Sequence, residues 1–309
     1  MNRCPITYNE CGNNYYSEKG LKLLSPGLGK LNLLPYTNED IKLEAFSRSS
    51  DFALPGSSLK LLAKINPSTN SFVFSSRNGK FILKPQNILY PEVPQNEDLT
   101  MKMAEVCGIE VPLHGLIYNS DKSLTYFIKR FDRGPGKLKF HTEDFARLCC
   151  KYKSGKYDSS MEEIALIADR FCTFPVIEKI KLFRISVFNY LAGNGNAHLK
   201  KFSLIKRNDV IMFSPFYNLV NTAIISNNES NEIALSLNNK KMNLNKYDFF
   251  EYYGINILKL NLKSLLGILN EFEKSISKWL DLIRISFLSD KNKEKYIKVL
   301  EQRIVKFFK

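Results

Sequence analysis

The sequence contains no apolar run approaching the roughly 20 residues that a membrane-spanning helix needs, although 44% of its 309 residues are hydrophobic. Its first residues, Met1–Tyr8, also lack the apolar stretch of a secretion signal. These two absences predict a cytoplasmic protein with no membrane partner. The length allows one large domain or two lobes with substantial cores.

Cysteine and histidine are scarce, with six and three residues respectively. In a cytoplasmic chain we expect the cysteines to be reduced thiols. Cys4 and Cys11 could begin a zinc site, but no second Cys or His pair follows at the spacing of a zinc finger. A structural zinc centre is therefore the less favoured of the two readings of this pair.

Acidic residues are outnumbered, with 31 Asp and Glu against 45 Lys and Arg, so the net charge is +14. A basic chain favours anionic partners such as nucleic acid, nucleotide phosphates or an acidic protein surface. The lysines are scattered and form no arginine-rich arm, so a general compositional bias explains the charge equally well.

Turn residues and apolar patterns predict a lead-in with short helices at 17–24 and 38–46, the second capped by Asn38. A mixed first part follows. Its predicted elements are strands at 59–65, 71–75 and 80–84, a helix capped by Asn96 and stopped by Gly108, and a hairpin of 111–118 with 124–129. Asn78–Gly79 is typical of a two-residue hairpin turn.

The second part of the chain is mainly helical by its apolar periodicity. Three helices are predicted, one at 142–152, one directly after the Ser160–Glu163 capping box, and one at 175–191. A hairpin of 202–204 with 210–213 follows, and helical stripes are predicted at 265–283 and 296–307. We interpret the stripes as core rather than as a groove for a partner.

A polar loop lies between the predicted buried helix and the hairpin. Gly193 and Gly195 permit backbone angles that other residues resist, and hydrogen-bonding side chains crowd the residues from Asn194 to Lys201. Loops on rigid scaffolds often carry binding or catalytic groups. A plain Gly- and Asn-rich turn is the alternative on local sequence alone.

The order of three strands, a helix and two strands is that of the smaller lobe of protein kinases. There a Lys on the third strand contacts nucleotide phosphates and a helix Glu orients it. Lys84 and Glu97 occupy these places here.

Ordered motifs extend this pattern over nearly the whole chain. They are Phe81–Pro85, Asn96–Glu97, Phe127–Arg133, Lys156–Tyr157, Gly193–Lys200 and Ser214–Asn218. With these motifs the sequence resembles the HipA family of bacterial serine/threonine kinases, especially its short HipT-like toxins. The resemblance implies an α+β, two-lobed, protein-kinase-like fold, with a lead-in and nucleotide-binding lobe at 1–132 and a helical lobe at 133–309.

The resemblance also implies roles for individual residues. ATP, the implied cofactor, would be bound by Gly56, Ser57, Ser58, Lys84, Lys129 and Phe131. The catalytic positions would be Asn196, His198 and Lys201, and the metal positions would be Asn218 and Lys201. The resemblance further implies that Lys84 and Asn218 face one cleft between the two lobes.

The departures from the family pattern lie at the chemically decisive positions. The catalytic Asp is Asn196, the following metal-binding Asn is Lys201, and the metal-binding Asp is Asn218. These changes leave the site three charge units more positive, which disfavours magnesium because magnesium prefers carboxylate and phosphate ligands. The phosphate loop, Ala53–Lys60, is altered too, and Pro55 has no N–H to offer a phosphate.

Two functions follow from this pattern. The first is a HipA/HipT-like kinase toxin that is catalytically impaired, a natural pseudokinase rather than an experimentally inactivated kinase. Its relatives phosphorylate aminoacyl-tRNA synthetases and are restrained by small antitoxin proteins, with DNA contacted only through an antitoxin complex. The second is a non-enzymatic binding module that uses the kinase fold to bind an antitoxin, a DNA complex or a translation-related protein.

Overall fold

A computed structural model describes residues 2–48, 59–87, 89–151, 153–225 and 231–308. The helices are α1 (Glu18–Leu24), α2 (Asn38–Ser47), α3 (Val93–Val106), α4 (Phe145–Leu148), α5 (Met161–Phe171), α6 (Pro175–Leu191), α7 (Leu262–Ile285) and α8 (Asp290–Phe308). The strands are β1 (Leu61–Asn66), β2 (Ser71–Phe74), β3 (Phe81–Lys84), β4 (His114–Tyr118), β5 (Leu124–Lys129), β6 (His141–Asp144), β7 (Ser203–Arg207) and β8 (Val210–Phe213). Every helix within these ranges is too short or too polar to cross a lipid bilayer.

The chain forms two compact units. The first contains residues 1–99, 112–133 and 285–288, and the second contains residues 100–111, 134–284 and 289–309. The boundary after residue 132 that the sequence suggested stays a prediction.

The first unit is built on an antiparallel sheet in the order β2-β1-β3-β5-β4. Three rings pack together on it: Phe72 lies 5.1 Å from Phe81 and 5.6 Å from Phe127 between ring centres. Each is at most 4% exposed, and full burial of such a side chain stabilises a fold by about 1.5–3 kcal/mol. The sheet therefore rests on an aromatic core that fixes β3 and β5.

The connection from β2 to β3 corrects the hairpin predicted at Asn78–Gly79. Ala63 of β1 pairs with Phe74 of β2 on one side and with Phe81 of β3 on the other. Residues 75–80 therefore cross over β1 instead of turning back beside β2. A Cβ on Gly79 would lie 3.1 Å from the backbone N and O of Ala63, so this glycine permits the close crossing.

Two helix starts also differ from the sequence-based prediction. The N-cap of α2 is Thr37 rather than Asn38, because the Thr37 side chain accepts from the backbone N–H of Asp40 in a capping box. Helix α3 begins at Val93, so Asn96 is buried inside its first turn and does not cap it. Pro94 suits the first turn because its φ is already helical.

The second unit combines helices with an antiparallel sheet in the order β6-β7-β8. Where the sequence predicted a helix at 142–152, the structure has β6 followed by the single turn α4. Residues His141 to Asp144 pair with β7, and this tertiary pairing overrides the helical pattern of the segment. A π-helix at Asp248–Ile257 was not predicted.

Helix α6 lies in the core of the second unit, and most of its residues are buried. The ring of Trp279 in α7 packs 5.8 Å from Phe188 of α6, and its indole N–H donates to the backbone carbonyl of Met103 at 2.8 Å. The polar loop after α6 therefore starts from a helix that is anchored in the core of this unit.

Candidate functional site

The loop that follows α6 begins with a glycine that its backbone requires. Gly193 has a φ of +70°, a conformation that side chains other than glycine rarely adopt. A Cβ at this position would lie 2.7 Å from Oδ1 of Asn221 and 3.0 Å from Cγ1 of Val299. Both the angle and the space therefore require glycine at the start of the loop.

Hydrogen bonds fasten the loop to the segment around Thr222. The backbone N–H of Thr222 donates to the carbonyl of Gly193 at 2.9 Å, and the N–H of Gly195 donates to Oγ1 of Thr222 at 2.9 Å. The buried side chain of Asn194 donates to Oδ1 of Asn189 in α6 at 2.8 Å. The loop is thus held on one side by the helix that precedes it and on the other by Thr222, 27 residues beyond Gly195.

The predicted catalytic position, Asn196, meets the Lys156–Tyr157 pair. The Tyr157 hydroxyl donates to Oδ1 of Asn196 at 2.6 Å. Nζ of Lys156 lies 5.1 Å from the centre of the Tyr157 ring, within the range of a cation–π contact. Two motifs that the sequence separates by 39 residues therefore form one constellation.

His198 is buried and serves as the N-cap of a short 3-10 helix at Leu199–Lys201. The backbone N–H of Lys200 donates to its Nδ1 at 3.2 Å, so the proton of the neutral ring is on Nε2. Burial, and then the positive charges of Lys201, Lys156 and Lys200, lower the pKa of His198 to about 3. The imidazole is therefore neutral at physiological pH and supports the loop without adding charge.

The predicted metal positions do not supply a ligand set that fits magnesium. Asn218, half-buried with a φ of +57°, follows a segment in which the hydroxyls of Tyr217 and Ser203 are 2.6 Å apart. Lys201 ends the short 3-10 helix and brings an ammonium, which cannot be a metal ligand. Magnesium takes oxygen ligands and favours carboxylates, and these two positions provide one amide oxygen. Among the described residues, no group of three or more His, Cys, Asp or Glu side chains is placed to hold a metal ion.

In the first unit, Lys84 on β3 is paired with Glu97 on α3. Nζ of Lys84 donates to Oε1 of Glu97 at 2.5 Å, and the two residues are 6% and 3% exposed. The same ammonium lies 5.2 Å from the ring centre of Tyr126 on the neighbouring strand. The predicted Lys–Glu pair therefore exists, with its charges largely removed from water.

The sequence-based analysis missed a second buried contact beside this pair. Nδ1 of His114 on β4 lies 2.8 Å from Oδ1 of Asp98, the residue after Glu97 on α3, and both are almost fully buried. The sequence did contain a signal for this contact. Asp98 directly follows the motif residue Glu97 on a predicted helix, and His114 lies on the apolar strand predicted after it. The two contacts together tie residues 93–99 of α3 to β3 and β4.

The remaining predicted nucleotide contacts of the first unit lie around the end of β5. Lys129 is exposed, and its backbone N–H donates to the backbone carbonyl of Leu113 at 2.8 Å. Phe131 is half-buried. Between them, Arg130 forms a two-pronged hydrogen bond with Asp132, at 3.0 and 2.7 Å. This ion pair fixes the segment that follows β5, and it was not predicted.

The phosphate-loop positions Gly56, Ser57 and Ser58 lie outside the described residues. Lys60, just after them, is exposed overall, but surrounding atoms shield its ammonium. This loss of hydration, and then the charge of Lys84, lower the pKa of Lys60. A second lysine therefore lies near the Lys84–Glu97 pair.

The structure assigns the predicted site residues to two separate groups. Lys84, Lys129 and Phe131 belong to the first unit, and the positions from Asn196 to Asn218 belong to the second. The expectation that both groups serve one nucleotide stays a prediction.

Comparison with known proteins gives a family and a fold. The family model of the HipA-like C-terminal domain matches residues 52–280. A Haemophilus influenzae protein whose name describes it as an inferred kinase is 27% identical over 240 residues, which cover 72% of this chain and 69% of that protein. A Sinorhizobium fredii protein of similar description is 30% identical over 207 residues, covering 61% of this chain and 49% of its own length.

Two solved structures are similar in fold. HipA of Shewanella oneidensis, in a toxin–antitoxin complex with HipB and operator DNA, has a TM-score of 0.67 at 19% identity and covers 90% of this chain and 72% of that one. The proinflammatory kinase CtkA of Helicobacter pylori has a TM-score of 0.54 at 19% identity and covers 80% and 93%. These likenesses confirm the predicted α+β, kinase-like fold.

Proposed function

The chain belongs to the HipA-like C-terminal domain family, and from this premise we propose that it is a HipA-type serine/threonine kinase with an impaired catalytic loop. The observation that carries the proposal is the contact between Tyr157 and Asn196. It supports a catalytic loop of normal construction in which an amide replaces the carboxylate that should accept the substrate proton.

ATP is the cofactor of this proposal, and the first unit has residues suited to it. Lys84 would contact the phosphates, and Glu97 would hold the ammonium in place, as their 2.5 Å contact suggests. Lys129 and Phe131 would line the nucleotide, with Gly56, Ser57 and Ser58 completing the phosphate contacts. When bound, ATP supplies the transferable phosphoryl group.

The second unit lacks the groups that would move that phosphoryl efficiently. An amide at Asn196 cannot accept the proton of an attacking hydroxyl, a role worth roughly 10²- to 10⁴-fold in rate. The side chains of Asn218 and Lys201 do not fit magnesium, because together they offer one amide oxygen and no carboxylate. His198, neutral and buried, would keep the loop in position.

The partners follow from likeness. Because the Shewanella structure holds HipA with HipB and operator DNA, we propose a small antitoxin protein as the partner of this chain, with DNA contacted only through that complex. An aminoacyl-tRNA synthetase is the proposed protein substrate or target.

A non-enzymatic binding module is the second candidate, and the same three positions favour it. Asn196, Asn218 and Lys201 all depart in the direction that removes negative charge. A fold retained only for binding would tolerate all three changes, because none of these three positions would then have a catalytic role.

Transfer of labelled phosphate from ATP tests the first candidate against the second. The unmodified chain should show little incorporation with magnesium. The double variant Asn196→Asp, Asn218→Asp should gain at least about 10²-fold, because it regains the base and one metal carboxylate.

Lys84→Ala in the double variant is the control, since it should abolish the gained activity. Robust magnesium-dependent incorporation by the unmodified chain would contradict the impairment. A double variant that folds, binds ATP and still transfers nothing would favour the binding module.

A further inference from the structure

Positive charge gathers around the loop of Asn196 in the second unit. Nζ of Lys156 lies 5.1 Å from the centre of the Tyr157 ring, and that ring packs 5.0 Å from the ring of His198. Lys200 and Lys201 belong to the short 3-10 helix that His198 caps, and the charges of all three lysines help to lower the pKa of His198. A fourth ammonium, on Lys241, donates to the backbone carbonyl of Tyr157 at 3.3 Å. These cations come from three separate segments of the chain, so the cluster is a product of folding rather than of a local run of lysines.

Neutral hydrogen-bonding groups lie at the centre of this cluster. The Tyr157 hydroxyl and the Asn196 amide are joined at 2.6 Å, and the amide takes the place of a family carboxylate. An aspartate there would repel an anion, whereas asparagine adds N–H donors and no charge. The replacement therefore changes the loop from one that attracts cations to one that attracts anions.

The groups that would contact an anion are held on a rigid support. Gly193 and Gly195 are fastened to Thr222, Lys156 lies against the Tyr157 ring, and the N–H of Lys200 is bonded to His198. Less side-chain and loop freedom is lost on binding when the groups are already positioned. The side chain of Lys156 and the backbone that carries Lys200 are therefore positioned before an anion binds.

We propose that the loop around Asn196 is a metal-independent binding site for a terminal phosphate group, with Lys156, Lys200 and Lys201 replacing the divalent ion. A phosphate monoester carries close to two negative charges and three acceptor oxygens, which match ammonium and amide donors. The inference rests on the proposed function for the identity of the loop. It adds the ligand chemistry, which phosphorylated protein side chains and nucleotides share.

Calorimetric titration of the full chain in chelator tests the site. The probes are inorganic phosphate, a phosphoserine peptide, its unphosphorylated form, and AMP. Binding of phosphate is expected without any divalent ion, and the peptide and AMP arms show which source binds better. The unphosphorylated peptide should bind less tightly than the phosphoserine peptide.

Three variants and a matched control locate the binding. Lys201→Gln should weaken phosphate binding by about two- to fivefold, the effect of losing one partly exposed charge contact. Asn196→Asp should weaken it too, through repulsion. Lys200→Gln should weaken phosphate binding as well. Because Lys200 is exposed, this variant tests the charge without the risk that a loss at 201 reflects a folding defect. Lys278→Gln removes the same charge from an exposed position on α7 and should leave the affinity for phosphate unchanged.

A requirement for magnesium, no binding of any phosphate probe, or equal losses in Lys201→Gln and Lys278→Gln would overturn the site. The phosphate-transfer assay separates this result from the proposed function. If the double variant transfers phosphate but the unmodified chain binds no phosphate in chelator, only the proposed site is overturned. If the unmodified chain binds phosphate in chelator and also transfers phosphate robustly, only the proposed catalytic impairment is overturned.

Discussion

The protonation of His198 links the charge of the loop to the stability of the second unit. Its pKa falls from 6.5 to about 3 because of burial and the neighbouring lysines. Between these values the unfolded chain binds a proton that the folded chain excludes. The stability from this group is therefore present above pH 6.5 and is lost as the pH falls toward 3, by up to about 1.4 kcal/mol per pH unit.

His198→Asn should reduce that acid sensitivity, because asparagine can still cap the 3-10 helix but does not titrate. Chemical denaturation at pH 7.5, 5.5 and 4.5 measures the effect. His141→Asn, at an exposed position on β6, is the control and should keep the pH dependence of the unmodified chain. Identical acid profiles for the two variants would show that His198 is not responsible.

The buried pair of Lys84 and Glu97 makes a second residue-scale prediction. Lys84→Met leaves the Glu97 carboxylate buried without its ammonium partner and should lower the free energy of unfolding by about 3–5 kcal/mol. Urea denaturation of the full chain measures this loss, read from a probe in the first unit.

The double variant Lys84→Met, Glu97→Leu should recover most of that stability, because no charge then remains buried at the pair. Its affinity for ATP, which the loss of Lys84 should lower, should not recover. A double variant as unstable as the single one would mean that packing, rather than the unpaired charge, causes the loss.

At the scale of elements, two glycines in the second unit should respond oppositely to alanine. Gly193→Ala meets both a φ of +70° and a contact of 2.7 Å with Asn221, and should destabilise the chain by about 1–3 kcal/mol. Gly267→Ala, in the exposed interior of α7 with open space around it, should stabilise by about 0.5–1 kcal/mol. Thermal unfolding of both variants tests the pair, and shifts of the same sign would contradict this view of the loop.

Elements with strong local signals were predictable from sequence. Helix α6 begins at Pro175 as its pattern indicated, and β7 and β8 turn at Asn208–Asp209, both with positive φ. The elements that failed depend on distant partners. Strand β6 forms because β7 is available to pair with it, and the turn at Asn78–Gly79 crosses β1 because Phe74 and Phe81 lie on opposite sides of it.

The candidate site was predictable in its positions and not in its contacts. The motifs located Lys84, Glu97 and Asn196 by their order along the chain. No local pattern could show that Tyr157 bonds to Asn196 across 39 residues, or that His114 meets Asp98. Such contacts depend on tertiary packing, which composition and periodicity do not encode.

At the scale of the whole molecule, we infer that a kinase-like fold carries a loop whose lysines would bind phosphate in place of a metal ion. The net charge of +14 gains meaning at this scale, because lysines from separate segments meet around His198. A fixed ammonium brings half the charge of magnesium and no octahedral geometry. It should therefore bind a nucleotide weakly but without a metal requirement.

The most direct test is the affinity of the unmodified chain for ATP, measured by calorimetry with magnesium and again with chelator. We predict weak binding in both conditions, with less than about a tenfold difference between them, and Lys201→Asn should make binding more dependent on magnesium. A strict magnesium requirement in the unmodified chain would contradict the replacement of the metal by lysines.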